Sequence, residues 1–255
     1  MTDLLIVTDG PDVTADLFAQ AAPAFGIGVR VVSLRAERLD LRLDLQATVE
    51  IDGLPVTPDI VINRCTANPS GLPSVAALSR QTPGSWSGSF AAAREEQGLV
   101  LAAFDAWELA GVEVVNPPAI EARSLMGHWF AIQMAAAGLR LGRRVDETVA
   151  VVRGRVAQRP DQSSLGAEAL RVCRTVGDIV GAELFEVDLE VGSGDALMPV
   201  AWRPRLDLVA HGDGAALAGP ILAHLLGIEP SHVPVAAPEL FVADLVTNLE
   251  EPPRS

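Results

Sequence analysis

The feature that most constrains the fold is a strict alternation of apolar and polar residues over 185–191, within the stretch 183–191. Successive side chains of an extended strand point to opposite faces, so this pattern separates acids from apolar residues. The acids are Glu186, Asp188 and Glu190, and the apolar residues are Phe185, Val187, Leu189 and Val191. The turn sequence Gly-Ser-Gly-Asp at 192–195 leads into a second apolar run at 196–202. We therefore predict an antiparallel hairpin with one face packed on a core.

The beginning of the chain has a different pattern, which is typical of a parallel sheet. The run Leu4–Val7 predicts a strand, and residues 29–34 predict the next one. Between them, apolar residues recur at helical spacing, at Val13, Leu17, Ala21 and Phe25. Further strands are predicted at 58–64 and 112–115. Because β-α-β units build parallel sheets covered by helices, the predicted fold class is α/β.

The sequence Asn116-Pro117-Pro118 marks a seam between the two patterns, because the residue before a proline is pushed out of the helical region. We predict a first domain at residues 1–115, a second at 116–249 and a flexible tail at 250–255. Residues 66–89 are rich in Ser, Pro, Gly and Thr. This composition predicts a surface loop with at most one short helix.

The composition excludes several classes of function. The 255 residues include 33 acids and 19 arginines but no lysine, for a formal net charge of −14. Such a chain repels nucleic-acid phosphates, and chemistry that needs a lysine amine is excluded. The first residues lack the basic region of a signal peptide, and no run is apolar enough to span a membrane. We expect Cys65 and Cys173 to be reduced, buried thiols of a cytoplasmic protein with no nucleic-acid or membrane partner.

Several blocks of sequence, in this order, resemble the ATP-grasp ligases, in the branch that contains ribosomal-protein glutamate ligase and glutathione synthetase. The blocks are a hairpin and strand at 49–64 that end in Arg64, the passage 107–117, the strand pair at 150–159, and the helix and strand at 168–189. The resemblance implies a Rossmann-like N-terminal pre-ATP-grasp domain followed by an ATP-grasp-like α+β domain. It also implies that lysines and a glycine-rich lid hold ATP in such ligases.

The chain departs from this family in the parts that handle ATP. It has no lysine, and only residues 140–145 join the predicted helix that ends at Gly138 to the strand that contains Val149. The resemblance therefore predicts a truncated ATP-grasp-like domain that lacks the lid and its glycine-rich loop. A ligase without a lid would leave an acyl-phosphate intermediate open to water.

The metal site implied by the resemblance is altered as well. An acid on one strand and a Glu-x-Asn sequence on the next bind the metal in the family. Asp188 matches the first ligand, but Ala201 and Arg203 occupy the Glu and Asn positions. Magnesium needs several hard oxygen ligands, which one aspartate facing an arginine does not provide. We expect Arg203 to pair with Asp188 or Asp207 and Asp188 to be the remnant of a metal site or, alternatively, an acid on a solvated strand face.

Four arginines are candidates for ligand binding. Arg64 ends a predicted strand at the edge where α/β sheets bind ligands, and the family has an arginine near the substrate there. Arg153, Arg155 and Arg159 could form an anion-binding group, or they could lie on an ordinary exposed strand face. The four histidines lack the spacing of metal ligands, and no catalytic residue is predicted.

These observations predict a degenerate ATP-grasp-like protein, a pseudoenzyme that needs no cofactor and binds a peptide or an active ATP-grasp homologue in a ligase or modification complex. We expect a homo- or heterodimer. Exposed Trp129, Phe130 or Trp202 near the missing lid would mark its interface. Two alternatives stay open. One is a minimal carboxylate–amine ligase that uses ATP and Mg²⁺ with Asp188, and the other is a sensor that binds a small carboxylate near Arg64.

Overall fold

The computed structural model describes residues 2–34, 37, 39–43, 47–65, 86–157, 167–193, 196–211 and 214–227. These residues form three sheets with helices packed on them, which confirms the α/β class. Arg159, the tail at 250–255 and most of the predicted loop at 66–89 lie outside these ranges. Within them, no helix is long and apolar enough to cross a membrane.

The first half of the chain is built around a parallel sheet. In chain order it contains β1 (Asp3–Thr8), α1 (Val13–Ala21), β2 (Gly28–Ser33), β3 (Leu39–Leu43), β4 (Ala47–Ile51), β5 (Leu54–Pro55), β6 (Ile60–Arg64), α2 (Trp86–Leu109) and β7 (Glu113–Val115). The parallel sheet has the order β2-β1-β6-β7. Helix α1 begins after Asp12, whose carboxylate accepts the N–H of Ala15 at 3.0 Å and caps the helix.

A small antiparallel sheet of β3, β4 and β5 lies beside the parallel sheet and packs against α2. Its predicted tight turn is present at Asp52 and Gly53, which both have a positive φ, as a two-residue hairpin turn requires. Helix α2 begins at Trp86, so the prediction of a loop is wrong for residues 86–89. The serine and glycine content of this stretch indicated a loop, but these residues continue into a long helix.

The second half of the chain forms a separate antiparallel sheet. It contains α3 (Pro118–Ser124), α4 (Gly127–Ala136), β8 (Glu147–Val152), β9 (Arg155–Val156), α5 (Ala167–Val180), β10 (Leu184–Val191), β11 (Leu197–Arg203) and α6 (Gly214–Leu225). The sheet has the order β11-β10-β8-β9, and the predicted hairpin is the antiparallel pair β10–β11. Helix α5 covers one face, where Val172 and Val176 share a core with Phe185 and Val187.

The two halves share a hydrophobic core. One cluster of buried residues combines Ile6 and Phe18 of the first half with Leu184 and Ile221 of the second. Helix α6 packs directly on α1. The last parallel strand ends at Val115, but the division of the chain at residues 115 and 116 stays a prediction, because apolar burial runs across it.

Candidate functional site

The candidate site lies on the face of β10 that carries the acids. Glu186 is paired across from Arg203 of β11, and Asp188 is paired across from Ala201. Directly opposed residues of an antiparallel pair point to the same face of the sheet. The two acids and Arg203 therefore lie together on one face, opposite the face that packs on α5.

Arg203 forms a two-pronged ion pair with Asp188. Its Nη1 donates to Oδ2 at 2.6 Å and its Nη2 donates to Oδ1 at 2.8 Å. The remaining guanidinium nitrogen, Nε, donates to Oε2 of Glu186 at 3.0 Å. The predicted pairing with Asp188 is therefore present, and the second partner of Arg203 is Glu186.

Both acids also have partners from outside the hairpin. The hydroxyl of Thr148, on β8, donates to Oδ1 of Asp188 at 2.7 Å. Oε1 of Glu186 accepts the backbone N–H of Asp207 at 2.7 Å and lies 2.9 Å from Nε2 of His211. Every carboxylate oxygen of the pair thus has at least one partner within the protein.

These contacts bury the acids. Only 2% of Glu186 and 5% of Asp188 is exposed, whereas 48% of the Arg203 side chain faces solvent. The alternative in which Asp188 lies on a solvated strand face is therefore wrong. Alternation along β10 indicates a polar face, but it does not show that the chain after β11 returns to cover that face.

Hydrogen bonding keeps both acids ionised in spite of their burial. Burial by itself raises the pKa of Glu186. Hydrogen bonds, of which the one from His211 has the largest effect, lower this pKa by more than burial raises it, so that it lies below its usual value. Burial likewise raises the pKa of Asp188, and the guanidinium of Arg203 more than reverses this effect. The hydrogen bond to Asp188 is the main reason why the pKa of Arg203 is raised. At neutral pH the site holds two negative charges around one positive charge.

The connection between α4 and β8 is short, as the sequence predicts. It consists of residues 137–146, which all belong to the described part of the chain and contain no helix or strand. No lid subdomain is inserted at this position. The connection at 137–146 therefore supplies no lid over the acid-bearing face of β10 of the kind that the resemblance implies for an ATP-grasp ligase.

The connection instead packs on the end of the hairpin. The N–H groups of Arg143 and Arg144 donate to Oε2 of Glu190 at 2.5 and 3.1 Å. The N–H of Gly142 donates to the carbonyl oxygen of Pro199 at 3.0 Å. A Cβ atom at Gly142 would lie 2.8 Å from the Cβ of Glu190, so this close approach requires a glycine. All three acids of the face are thus held by protein groups.

Arg64 belongs to a different cluster. It ends β6 at the carboxyl edge of the parallel sheet, where its Nε and Nη2 donate to the carboxylate of Asp12 at 2.7 and 3.0 Å. Its Nη1 donates to the carbonyl oxygen of Leu206 at 3.0 Å, and only 7% of Arg64 is exposed. These contacts tie β6 to the start of α1 and to the second half of the chain. The role of Arg64 in ligand binding stays a prediction.

Arg153 lies in the turn between β8 and β9. Its φ of 48° and the φ of 70° at Gly154 are those of a tight hairpin turn. Its Nε donates to the carboxylate of Glu183 at 3.2 Å, and its Nη2 donates to the carboxylate of Glu113. The charge of Arg153 is therefore already paired with two acids at this turn.

Arg155 is exposed on β9, and its charge acts on His224 of α6. Burial lowers the pKa of His224, and the nearby charge of Arg155 lowers it further. Arg159 lies outside the described residues. The proposed anion-binding group of three arginines therefore stays a prediction, with Arg153 engaged by carboxylates of its own.

Sequence reasoning missed a second ion cluster at the carboxyl edge of the parallel sheet. Nε of Arg205 lies 3.2 Å from Oε1 of Glu121, and its Nη2 lies 3.4 Å from Oδ2 of Asp9. Burial raises the pKa of Glu121, although Arg205 partly opposes this effect. Burial also raises the pKa of the nearby Cys65 thiol, and both cysteines are free and buried as predicted. The only sequence signal was the pattern Arg-Pro-Arg at the end of β11.

Asn116 was also missed as a structural residue. Its φ is 55°, a left-handed conformation that asparagine tolerates better than most residues. Its Oδ1 accepts the N–H of Glu183 at 3.1 Å, and its Nδ2 donates to the carbonyl oxygens of Pro204, at 2.7 Å, and of Leu184. The side chain thus joins the end of β7 to the beginning of β10 and the end of β11, and so positions the site.

The aromatic residues expected to mark an interface are mostly internal. Phe130 and Trp202 are buried, because they fill the core between α4, α5 and the antiparallel sheet, and Trp129 is half-buried. Phe130 and Trp202 therefore mark no exposed surface. The exposed apolar residues of this region are Leu125, Met126 and Ile132.

Comparison with known proteins gives matches among solved structures. No protein-family model and no curated protein matches the chain. The ATP-grasp ligase PsnB, complexed with minimal precursor, Mg and ADP, is 17% identical, with a TM-score of 0.70 over 88% of this chain and 96% of PsnB. A RiPP-associated ATP-grasp ligase from Chryseobacterium gregarium, in complex with ADP and a leader and core peptide, is 10% identical, with a TM-score of 0.69 over 93% and 100%.

A third match is a RimK domain ATP-grasp protein from Sphaerobacter thermophilus. It is 14% identical, with a TM-score of 0.51 over 89% of this chain and 100% of that chain. At such identities the likeness shows the fold alone.

The residues on the acid-bearing face do not suit the Mg ion found with PsnB. Among the residues that the structure describes, no group of three or more His, Cys, Asp or Glu side chains is arranged to hold a metal ion. The guanidinium of Arg203 lies between Glu186 and Asp188 and would repel a divalent cation placed there. We therefore derive no catalytic step through a metal at this site.

Proposed function

The chain has the ATP-grasp fold, and from this premise we propose that it is a pseudoenzyme, a peptide-binding component of a ligase or modification complex that does not itself turn over ATP. Its partner is a peptide or an active ATP-grasp homologue, and the chain acts in a homo- or heterodimer. The observation that carries the proposal is the ion cluster of Arg203, Glu186 and Asp188.

The acids of the ion cluster do not suit a magnesium ion. A magnesium ion bridging phosphates needs free carboxylate oxygens in a near-octahedral arrangement. In this chain both oxygens of Asp188 accept hydrogen bonds from Arg203, and both oxygens of Glu186 also have protein partners. A metal would have to displace an internal cation before it could bind here.

The connection between α4 and β8 provides no lid for the site. Ligases that form reactive acyl intermediates exclude water from them. Residues 137–146 join α4 directly to β8 and leave no inserted subdomain for this purpose. The sequence also contains no lysine to hold ATP phosphates.

Structures with a similar fold contain bound peptides. PsnB was crystallised with a minimal precursor, and the Chryseobacterium gregarium ligase was crystallised with a leader and core peptide. This chain keeps the same fold over 88% and 93% of its length. Function depends on the side chains of a site and not on the fold as such, so we propose peptide binding separately from catalysis.

An assay of ADP release tests the loss of catalysis. We expect the purified chain, with ATP, Mg²⁺ and a mixture of peptides and amino acids, to release ADP no faster than a buffer control. A matched Asp188→Asn variant should behave in the same way. ADP release that disappears in Asp188→Asn would instead support the minimal carboxylate–amine ligase and overturn the proposal.

A peptide library displayed on phage tests the binding function. We expect panning on the immobilised chain to enrich a consensus, and a synthetic peptide of that sequence to bind with a Kd in the micromolar range by calorimetry. Sedimentation should show a dimer, either of the chain alone or with a co-purifying ATP-grasp homologue. Absence of enrichment, together with a strictly monomeric chain at micromolar concentration and no co-purifying partner, would contradict the proposal.

A further inference from the structure

Glu186 and Asp188 place two buried carboxylates close together on β10, so their mutual repulsion must be offset. The two carboxylates are buried and two residues apart on the same face of one strand. Like charges this close repel, and burial removes the water that would screen them. A cation that lies between them offsets this repulsion.

That cation is the side chain of Arg203. Three carboxylate oxygens of the two acids lie within 2.6 to 3.0 Å of its three guanidinium nitrogens. The planar fork of an arginine suits this geometry, because two nitrogens can meet both oxygens of one carboxylate while Nε meets another acid. Arg203 reaches the acids from the neighbouring strand, directly opposite Glu186.

We propose that Arg203 is a built-in cation, which permanently holds the place between Glu186 and Asp188 and makes the stability of this sheet independent of divalent metal ions. Arg203 joins β10 and β11, while Thr148 and the segment 207–211 attach to the same two acids. Arg203 and its two acid partners thus join four parts of the second half. This inference does not depend on peptide binding.

Removal of the guanidinium would leave the repulsion between the two carboxylates without its compensating charge. In an Arg203→Ala variant, two buried carboxylates would face each other across an opening that solvent can enter, because 48% of the original side chain is exposed. Oxygen ligands from Asp188, Glu186 and Thr148 would then surround this opening, and such ligands suit Mn²⁺ or Mg²⁺. The variant should therefore gain a response to metal that the natural chain lacks.

Thermal unfolding in EDTA and in millimolar MnCl₂ tests the inference. We expect Mn²⁺ to leave the Tm of the natural chain unchanged and to raise the Tm of Arg203→Ala by about 3 °C or more, as a ligand that binds only the folded state does. The double variant R203A/D188N should lose the response, because it removes one ligand. Arg144→Ala is the matched control, since it removes an exposed arginine paired with Asp146.

Two results would overturn the inference. One is a rise in Tm with Mn²⁺ in the natural chain as large as that in Arg203→Ala, and the other is no response in either protein. Should Arg203→Ala fail to fold, the neutral variant Arg203→Gln takes its place, and Mn²⁺ binding is followed by the loss of its free-ion spectrum in electron paramagnetic resonance. Failure of peptide binding would leave all these outcomes unaffected.

Discussion

Two clusters of the molecule use the same pairing of arginine with carboxylate in different ways. At the carboxyl edge of the parallel sheet, Arg64 is buried and connects Asp12 to the loop after β11, so it joins the two halves of the chain. On β10 the acids Glu186 and Asp188 are buried, and Arg203 covers them from the solvent side. The edge at which α/β folds commonly bind ligands is thus a structural junction here.

The difference lies in which partner is buried. Removal of a buried arginine leaves its carboxylate partner buried without a compensating charge, and breaking such a pair is costly. An arginine that is half exposed can be replaced in part by water, so its loss costs less. We therefore expect the loss of Arg64 to destabilise the chain more than the loss of Arg203.

The largest effect is expected for Arg64→Ala. The substitution leaves the carboxylate of Asp12 and the carbonyl of Leu206 without their partner at a buried junction. We expect a loss of about 3 to 4 kcal/mol in the free energy of unfolding, measured with urea. Arg30→Ala is the control, because Arg30 pairs with Glu37 at an exposed position, and it should cost less than about 1 kcal/mol. Equal losses in the two variants would show that Arg64 is no junction.

A smaller, pH-dependent effect is expected for Arg203→Ala. At pH 7 we expect a loss of about 2 kcal/mol, reduced from that of a fully buried pair by the exposure of Arg203. In the natural chain the pKa values of Glu186 and Asp188 are lowered from 4.5 and 3.8. Their contribution to stability is present above those values and is lost as pH falls through the lower pKa values of the folded state.

Without Arg203 we expect the pKa of Asp188 to rise, because burial raises it and the hydrogen bond from Arg203 is the largest effect that lowers it. As pH falls, protonation of the acids removes their repulsion in the variant and so raises its unfolding free energy. In the natural chain the same protonation removes the ion pairs with Arg203 and lowers the unfolding free energy. The difference in unfolding free energy between the two should therefore narrow between about pH 6 and pH 3. Urea unfolding at several pH values measures this difference. A difference that stays constant over this range would argue against charge as its origin.

The packing of the lidless connection predicts a further loss for Gly142→Ala. The new methyl group would lie 2.8 Å from the Cβ of Glu190 and from Cγ2 of Val200, so the connection must shift away from the hairpin. We expect a loss of about 1 to 2 kcal/mol in urea unfolding. Gly98→Ala, in open space on α2, is the control and should gain about 0.5 to 1 kcal/mol. A gain in both variants would mean that the connection is not closely packed.

The smallest effect is expected for Arg153→Asn. This variant removes the ion pairs with Glu113 and Glu183, which lie at an exposed turn. Asparagine accepts the positive φ at this position and is favoured before Gly154 in such a turn. The unfolding free energy should change by less than about 0.5 kcal/mol. A loss as large as that of Arg64→Ala would place Arg153 among the structural junctions of the chain.

Local pattern was sufficient to predict the hairpin and part of its ion cluster. The alternation in β10 places Glu186 and Asp188 on one face, and the short turn brings Arg203 to the same face of the neighbouring strand. The short connection at 137–146 was also visible, because it is a matter of chain length between two elements. Each of these features depends on residues close together in sequence or in one hairpin.

The remaining partners could not be predicted in this way. Arg64 lies 52 residues from Asp12 and 142 residues from Leu206 in the sequence. Arg205 lies 84 residues from Glu121 and 196 residues from Asp9. No local pattern records which of many carboxylates such an arginine meets.

The sequence by itself determined the α/β class, the hairpin with acids on one face, and the shortness of the segment that replaces a lid, because periodicity and chain length act locally. Only the tertiary structure decided that Glu186 and Asp188 are buried and that Arg64 joins the two halves. The physical reason is that burial and ion pairing depend on segments that return from far along the chain. An acid-bearing strand face has the same sequence pattern whether water or an arginine covers it.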